Sequence, residues 1–214
     1  MKLYSFFRSG SSHRLRIALN LKGLAYDYEP VDLRSERHSS ADYKAIHPQG
    51  LVPALQTDTG DGLLIQSPAI IEWLEERHPW PPLLPVDPAA RAKVRALAAI
   101  IGCDIHPLNN RRVLEALRHD FDAADAAIDE WCATWIAAGF DAIEALFAAD
   151  AQRGAFCFGD TPTMADIYLV PQVESARRFK IDIGRWPLIS AVDAACARLT
   201  AFRDAAPSAQ PDAR

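Results

Sequence analysis

The chain has no run of 18 apolar residues, so no stretch of it has the form of a membrane-crossing segment. Its first residues lack the charged-then-apolar form of a signal peptide. Both absences point to the cytoplasm. Positive charge is also in short supply: 23 lysines and arginines stand against 28 aspartates and glutamates, a net charge of −5. An acidic chain is a poor general binder of nucleic acid or of an anionic membrane. Any anion site must be a local cluster of arginine. Cysteine is scarce and scattered, at Cys103, Cys132, Cys157 and Cys196, with no Cys-x-x-Cys pair. These read as reduced thiols, mostly buried or half-buried. Internal repeats and low-complexity tracts are missing too.

What is present is apolar content and pattern. Half of the 214 residues are hydrophobic, enough for one large core or two small ones. The pattern changes near residue 80. Before it, strand and helix signals alternate: a strand over Lys2–Phe7, a helix over Ser12–Lys22 stopped by Gly23, and a strand around Tyr26, Tyr28 and Pro30. A short helix over Ala41–Ile46 follows. Strands Val52–Gln56 and Leu63–Ile65 then flank the turn-rich Asp58–Gly62. Ser67-Pro68 opens another helix, with Ser67 as N-cap, Pro68 as first helical residue, and Ile70, Trp73 and Leu74 on one face. The order βαβαββα predicts a compact mixed sheet with helices on its faces. Prolines 79, 81, 82, 85 and 88 read as a stiff linker.

Everything after the linker is helical in pattern. One stripe is Val94, Leu97, Ala98 and Ile101. A longer one runs Ile128, Trp131, Cys132, Trp135, Ile136, Phe140, Ile143 and Phe147. A third runs Leu188, Val192, Ala195, Leu199 and Phe202. All three read as core faces. Thr163-Met164-Ala165-Asp166 has the form of a capping box and reads as structural. The tail from Pro207 is polar and reads as frayed. The expected division is 1–80, a linker over 81–90, and a helical domain over 91–214.

Five places carry candidate chemistry. In Arg8-Ser9-Gly10-Ser11-Ser12-His13-Arg14-Leu15, a strand end, a hydroxyl-rich turn and a helix start meet within a few residues. Unpaired N–H groups at a helix start favour an anion such as a thiolate, and serine hydroxyls can cap the helix or donate to it. Gly50-Leu51-Val52-Pro53 leads into a strand, where a cis Val-Pro bond would turn backbone N–H and C=O outward at an edge that can pair with an extended peptide; an ordinary trans proline at a strand start is the favoured reading. Gln66-Ser67, at the next helix start, suits a carboxylate or acts only as a cap. The stretch Asp104–Arg112 puts Pro107 inside a helical pattern, where it should kink the helix and cluster His106, Asn110 and Arg111. Farther on, Arg177 and Arg178 end a helix, there to complement its dipole or to face a cleft.

Taken in order, Arg8-Ser9-Gly10-Ser11-Ser12-His13-Arg14-Leu15-Arg16-Ile17-Ala18-Leu19, Val52-Pro53, Gln66-Ser67, Thr163-Met164-Ala165-Asp166, Leu169-Val170-Pro171-Gln172 and Ala209-Gln210-Pro211-Asp212 resemble the zeta class of glutathione transferases. That group includes maleylacetoacetate and maleylpyruvate isomerases. The resemblance covers essentially the whole chain. It implies a thioredoxin-like N-terminal domain, an all-helical C-terminal domain, a homodimer and bound glutathione. Residue by residue, it implies Ser9, Ser11 and Ser12 at the glutathione sulfur. It implies His38, Gln49, Val52, Gln66 and Ser67 along the tripeptide, and His106, Asn110 and Arg111 as contacts from the helical domain. Many members carry Ser-Ser-Cys at the first motif; here Ser11 takes the cysteine's place, which removes a mixed-disulfide role. No cysteine precedes Cys103, which also counts against a thioredoxin-like oxidoreductase.

The activity implied is glutathione-dependent cis–trans isomerisation of a maleyl keto acid, in the breakdown of aromatic compounds or tyrosine. The site must lower a thiol pKa from about 8.5 and hold a small dianion. Ser9, Ser11 and the helix start serve the first need. Arg8, Arg111 and Arg178 are candidates for the second, because guanidinium grips carboxylates bidentately. Arg111-Arg112 is more basic than this position in some relatives of the maleylacetoacetate type, which points to maleylpyruvate, the shorter dianion. Two other readings stay open. A general transferase conjugating electrophiles would have an apolar second site. A non-catalytic glutathione-binding module would lack a competent thiol site.

Overall fold

A computed structural model describes residues 1–150 and 153–213; Ala151, Gln152 and Arg214, the last closing the expected helical domain, lie outside the described residues. The chain divides into two compact units, Met1–Leu83 with Arg198–Arg214, and Leu84–Ala197. The C-terminal segment thus belongs with the N-terminal unit, unlike the expected division at 91–214.

The first unit is built on a four-stranded sheet in the order β2-β1-β3-β4. Strand β1 (Lys2–Ser5) runs parallel to β2 (Asp27–Pro30) and antiparallel to β3 (Ala54–Gln56), which pairs with antiparallel β4 (Leu63–Ile65). Leu3 faces Tyr28 on one side and Leu55 on the other. Helices α1 (Gly10–Leu21), α2 (Ala41–Ile46) and α3 (Ser67–Arg77) complete the βαβαββα order that the sequence predicts. The core holds Leu3, Leu15, Ile17, Leu19, Leu55, Ile70, Ile71 and Leu74, all fully buried.

Two starts shift. Helix α1 begins at Gly10 rather than Ser12, capped by Ser9. Helix α3 is capped by Gln66, with Ser67 and Pro68 both helical, whereas Ser67 was the expected cap. Proline is tolerated throughout a first turn, whose N–H groups have no intrahelical partner anyway, so Pro68 does not fix which residue caps. Lys22 closes α1 against α3: its Nζ lies 2.6 Å from Glu75 Oε2 and donates to the Pro81 carbonyl at 2.7 Å. Glu75 Oε2 also accepts the Leu83 N–H at 2.9 Å, so one buried ion pair holds the proline-rich stretch.

The expected frayed tail is instead packed on this unit. Helix α9 (Thr200–Ala205) lies on α1, where Arg16 Nε donates to the Ala205 carbonyl at 2.9 Å and Asn20 Nδ2 to the Ala201 carbonyl at 3.0 Å. Gln210 Nε2 donates back to the Asp204 and Ala206 carbonyls at 2.8 and 2.9 Å. Ala213 packs on the cluster Phe6, Phe7, Val31, Tyr43 and Val52. Polar composition misled here because the tail is held largely by hydrogen bonds, beside the apolar contact of Ala213.

The second unit is all helical among the described residues: α4 (Pro88–Ala99), α5 (Arg111–Asp120), α6 (Asp125–Ala149), α7 (Met164–Arg178) and α8 (Pro187–Cys196). Helix α4 starts inside the expected linker, capped by Asp87, which accepts the Ala90 N–H at 2.8 Å. The break expected at Pro107 arrives early: α4 runs into a π-helical turn over Ile100–Ile105, and residues 106–110 leave the helix. A proline four residues after Cys103 would meet its carbonyl in a continuous α-helix, so the wider turn and exit relieve that clash. Gly139 of α6 makes room there, since a Cβ would fall inside the Ile105 side chain.

The capping box forms as expected. Asp166 Oδ2 accepts the Thr163 N–H at 2.8 Å and the Thr163 hydroxyl at 2.9 Å, while Oδ1 accepts the Cys157 N–H. The stripe on α4 is buried throughout. On α6 the face is Ile128, Cys132, Ile136, Phe140, Ile143 and Phe147, with Trp135 exposed. The third stripe does not exist as one face: the helix stops after Cys196, and Leu199 and Phe202 belong with the other unit. All four cysteines are free; Cys103 is exposed and the other three are buried.

Candidate active site

The first-unit site grows from the end of β1. The chain leaves the strand through Phe6, Phe7 and Arg8, and the Ser9 N–H closes the turn on the Phe6 carbonyl at 3.0 Å. Ser9 is extended, with φ −70° and ψ 120°, and its Oγ accepts the Ser12 N–H at 3.2 Å as the cap of α1. Ser11 donates its hydroxyl to the Val52 carbonyl at 3.0 Å. Ser9 Oγ lies 3.0 Å from Ser11 Oγ. A hydroxyl has one hydrogen. Ser11 has spent its own on Val52, so Ser9 is the donor within the pair. The two form a relay, Ser9 to Ser11 to Val52, at a helix start whose N–H groups favour negative charge.

The relay separates roles that the sequence could not. Ser9 can turn its hydroxyl to an incoming sulfur and lose one neutral hydrogen bond, still capping α1 with its lone pair. Ser11 can do so only by releasing Val52. Ser12 has a different place from the one expected: it is fully buried and accepts the Phe6 N–H at 3.5 Å, bracing the turn from behind. Arg8 is exposed beside the turn. His13, next on α1, is buried and neutral: burial, then the charges of Arg16 and Arg14, push its pKa down to about 3.

A second group of expected residues converges at α3. Gln66 has φ 68° and ψ 107°, a left-handed backbone rare outside glycine, and its Nε2 donates to Gln49 Oε1 at 2.7 Å. Gly50 has φ 61°, and a Cβ there would lie 2.7 Å from the His38 carbonyl oxygen, so the loop bearing His38 lies against Gly50. Ser67 is buried in the first turn of α3. Val52-Pro53 is a cis peptide, as is Trp80-Pro81. Strain stored at Gln66, with its amide exposed and held by Gln49, is what a ligand-binding helix start shows. Glutathione fits this set: hydroxyls and a helix dipole for a thiolate, and a second helix start with Ser67 for a carboxylate.

In the second unit, His106 follows the π-helical turn and Asn110 caps α5, its side chain accepting the Val113 N–H at 3.3 Å. Arg111 forms an ion pair with Glu115 one turn on. Arg178 Nη2 donates to Ser175 Oγ at 3.1 Å, and its guanidinium lies 5.4 Å from the Phe179 ring centroid. Phe179 packs on Leu114, Ile128 and Cys132, which places the end of α7 beside α5 and α6. Arg177 pairs instead with Asp193 at 2.5 Å.

Two side chains that sequence reading missed hold the thiol turn. Arg16 is fully buried and donates to the Phe6 carbonyl at 3.4 Å, the Phe7 carbonyl at 3.0 Å and Ser5 Oγ at 3.2 Å. Burial lowers its pKa to about 10, still charged at neutral pH. An arginine in the apolar run Leu15–Leu19 was the available signal, since a buried guanidinium needs several acceptors. Asp212 is the other. Its Oδ2 accepts the Phe7 N–H at 3.1 Å and its Oδ1 the Tyr28 hydroxyl at 2.7 Å.

A mixed thioredoxin-like sheet unit with a serine-capped first helix, and a helical unit, define a class, and the sequence agrees with it. Residues 8–77 match the glutathione S-transferase N-terminal domain and residues 110–207 the C-terminal domain. The chain belongs to the glutathione S-transferase family. Its place within the family is the zeta class. It is 67% identical over 212 residues to the maleylpyruvate isomerase of a Ralstonia species, covering 99% of both chains. A solved holo structure of maleylpyruvate isomerase, a bacterial zeta-class enzyme, superposes with a TM-score of 0.97 at 66% identity over 100% of both chains. The maleylacetoacetate isomerase of Methylobacterium extorquens AM1, solved with malonate and glutathione bound, gives a TM-score of 0.95 at 36% identity, again over 100% of both chains.

Proposed function

We propose that this chain is a glutathione-dependent isomerase that converts a maleyl keto acid to its fumaryl form, with maleylpyruvate as the preferred substrate. The observation that carries the reading is the hydroxyl relay at the start of α1, which offers a thiolate one rotatable donor and a helix dipole. The identity to maleylpyruvate isomerase supports the choice of substrate. Bound glutathione supplies a thiolate that adds reversibly to the alkene, so that the carbon–carbon bond can rotate before elimination restores it.

The chain's own residues do the rest. Ser9 donates to the sulfur and lowers its pKa, aided by the N–H groups at Gly10 and Ser11. Ser11 keeps Val52 in place, where the backbone is set to pair with the tripeptide. Gln66 and Ser67 hold the γ-glutamyl end, with Gln49 orienting Gln66 and His38 flanking the loop. His106, Asn110 and Arg111 are assigned to ligand contacts from the helical unit. Arg8, Arg111 and Arg178 hold the substrate carboxylates and the charge that develops on the ketone oxygen. In an acidic protein these guanidinium groups also steer a dianion inward. The three buried free cysteines support a reducing, cytoplasmic setting. A homodimer is the assembly we assign.

The test is a glutathione-dependent isomerisation assay on maleylpyruvate and maleylacetoacetate side by side. Turnover of maleylpyruvate with the higher kcat/KM is expected. No turnover of either, with ready conjugation of an aryl halide, overturns the reading in favour of a detoxifying transferase.

A further inference from the structure

Both backbone polar groups of Phe7, at the entry to the serine turn, are gripped by charged side chains, one on each of the two peptide planes that flank it. Arg16 Nη2 donates to the Phe7 carbonyl at 3.0 Å, and Asp212 Oδ2 accepts the Phe7 N–H at 3.1 Å. Arg16 comes from α1 itself. Asp212 comes from the far end of the chain, delivered by a strap that Gln210 ties to the end of α9. Its second oxygen is fixed by the Tyr28 hydroxyl at 2.7 Å, from the strand beside β1. Arg34, stacked 5.6 Å from the Phe7 ring centroid, adds positive charge near the same carboxylate. Asp212 is therefore clamped, and it in turn clamps the residue that precedes Arg8 and Ser9.

We propose that Asp212 is a positioning residue for the isomerisation. It fixes the Phe6–Phe7 peptide plane, whose carbonyl Arg16 also holds at 3.4 Å, and through the Phe7 carbonyl's plane, Arg8 and Ser9 it sets where the guanidinium and the thiol-directed hydroxyl stand. The inference rests on the function proposed above only for the identity of the substrate; its claim about the bound thiol stands apart. Without Asp212 the Phe7 N–H loses its acceptor, and the turn keeps only Arg16, Ser12 and its own Ser9–Phe6 bond. A displacement of the reacting groups by about 1 Å costs up to about a hundredfold in rate.

The experiment compares wild type with Asp212→Ala, Asp212→Asn and Tyr28→Phe. Thermal unfolding checks that each variant is folded. Thiolate absorbance against pH gives the pKa of bound glutathione, and steady-state assays give kcat and KM. Asp212→Ala should stay folded, raise the thiol pKa and lower kcat about tenfold, with less change in KM. Asp212→Asn keeps one oxygen for the Phe7 N–H and should recover much of the loss. Tyr28→Phe frees one side of the carboxylate and should fall between them. A folded Asp212→Ala variant with the wild-type thiol pKa overturns the proposal. If Asp212→Ala does not fold, the same thiol pKa in Tyr28→Phe as in wild type overturns it. If wild type isomerises neither maleyl substrate but the thiol pKa still moves in Asp212→Ala, the substrate assignment fails and the positioning role stands.

Discussion

Replacing Ser9 and Ser11 one at a time should give unequal results, and the relay says which way. Ser9→Ala removes the cap on α1, since its Oγ accepts the Ser12 N–H at 3.2 Å; loss of a serine N-cap costs about 1 kcal/mol of stability. It also removes the one hydroxyl that can turn to the sulfur at the cost of only its bond to Ser11. A hydrogen bond to a charged group is worth about 1.5–3 kcal/mol, which at about 1.4 kcal/mol per pKa unit predicts a rise of about 1–2 units in the bound thiol. Ser11→Ala removes the bond to the Val52 carbonyl, about 1 kcal/mol, and leaves Ser9 with its hydrogen unspent. Its thiol pKa should stay within about half a unit of wild type, by the same conversion. The measurement is thiolate absorbance of the glutathione complex titrated with pH, paired with chemical denaturation of the free protein. Equal rises in both variants refute the assignment of the donor to Ser9. A rise in Ser11→Ala alone makes Ser11 the activating residue.

Arg178→Ala should raise KM for maleylpyruvate and lower kcat/KM by about 10–100-fold, from one charged contact of about 1.5–3 kcal/mol, with glutathione affinity nearly unchanged; equal losses in both would mean that Arg178 serves the fold or the cofactor. His13 ties stability to pH. Its folded pKa of about 3 lies below the unfolded 6.5, so its contribution is complete above pH 6.5 and is lost as pH falls towards 3. By pH 5 this amounts to about 2 kcal/mol. Denaturation at pH 7 and pH 5 should show His13→Phe losing less stability than wild type, and an equal loss disproves the linkage. Light scattering at micromolar concentration should give twice the 23.6 kDa chain mass, with exposed Trp135 and Leu146 of α6 as apolar surface for a partner; a monomer mass refutes the homodimer.

Periodicity and punctuation carried most of the fold. Ala41–Ile46 and Leu63–Ile65 form where they were expected, because each is bounded by strong local signals. The cap of α3 slipped by one residue, since two polar residues precede Pro68 and only the backbone of Gln66 decides between them. The last stripe failed because spacing alone does not register a break: Ala197–Leu199 leave the helix while Leu199 and Phe202 keep the right interval. At the site, the serine cluster at a helix start was readable, but its hydrogen-bond order was not, since that depends on Val52, far off in sequence. Arg16 in its apolar run signalled a buried guanidinium but not its partners, and Asp212 carried no such signal, because the groups they hold at the turn are backbone atoms of Phe6 and Phe7, which have no sequence signature.

The first unit is discontinuous in sequence, and this orders events during synthesis. Its strands and first three helices leave the ribosome early, yet α9 and Asp212 are made only after the whole of the second unit. Until then Arg16 lacks the Ala205 carbonyl and Phe7 lacks its acceptor. Domains usually mature in the order in which they are translated. Here the second unit, 84–197, is complete first, and the half that emerged earliest is finished by residues made after it. A nascent chain stalled before Thr200 therefore carries every serine of the thiol turn and none of the strap that sets them.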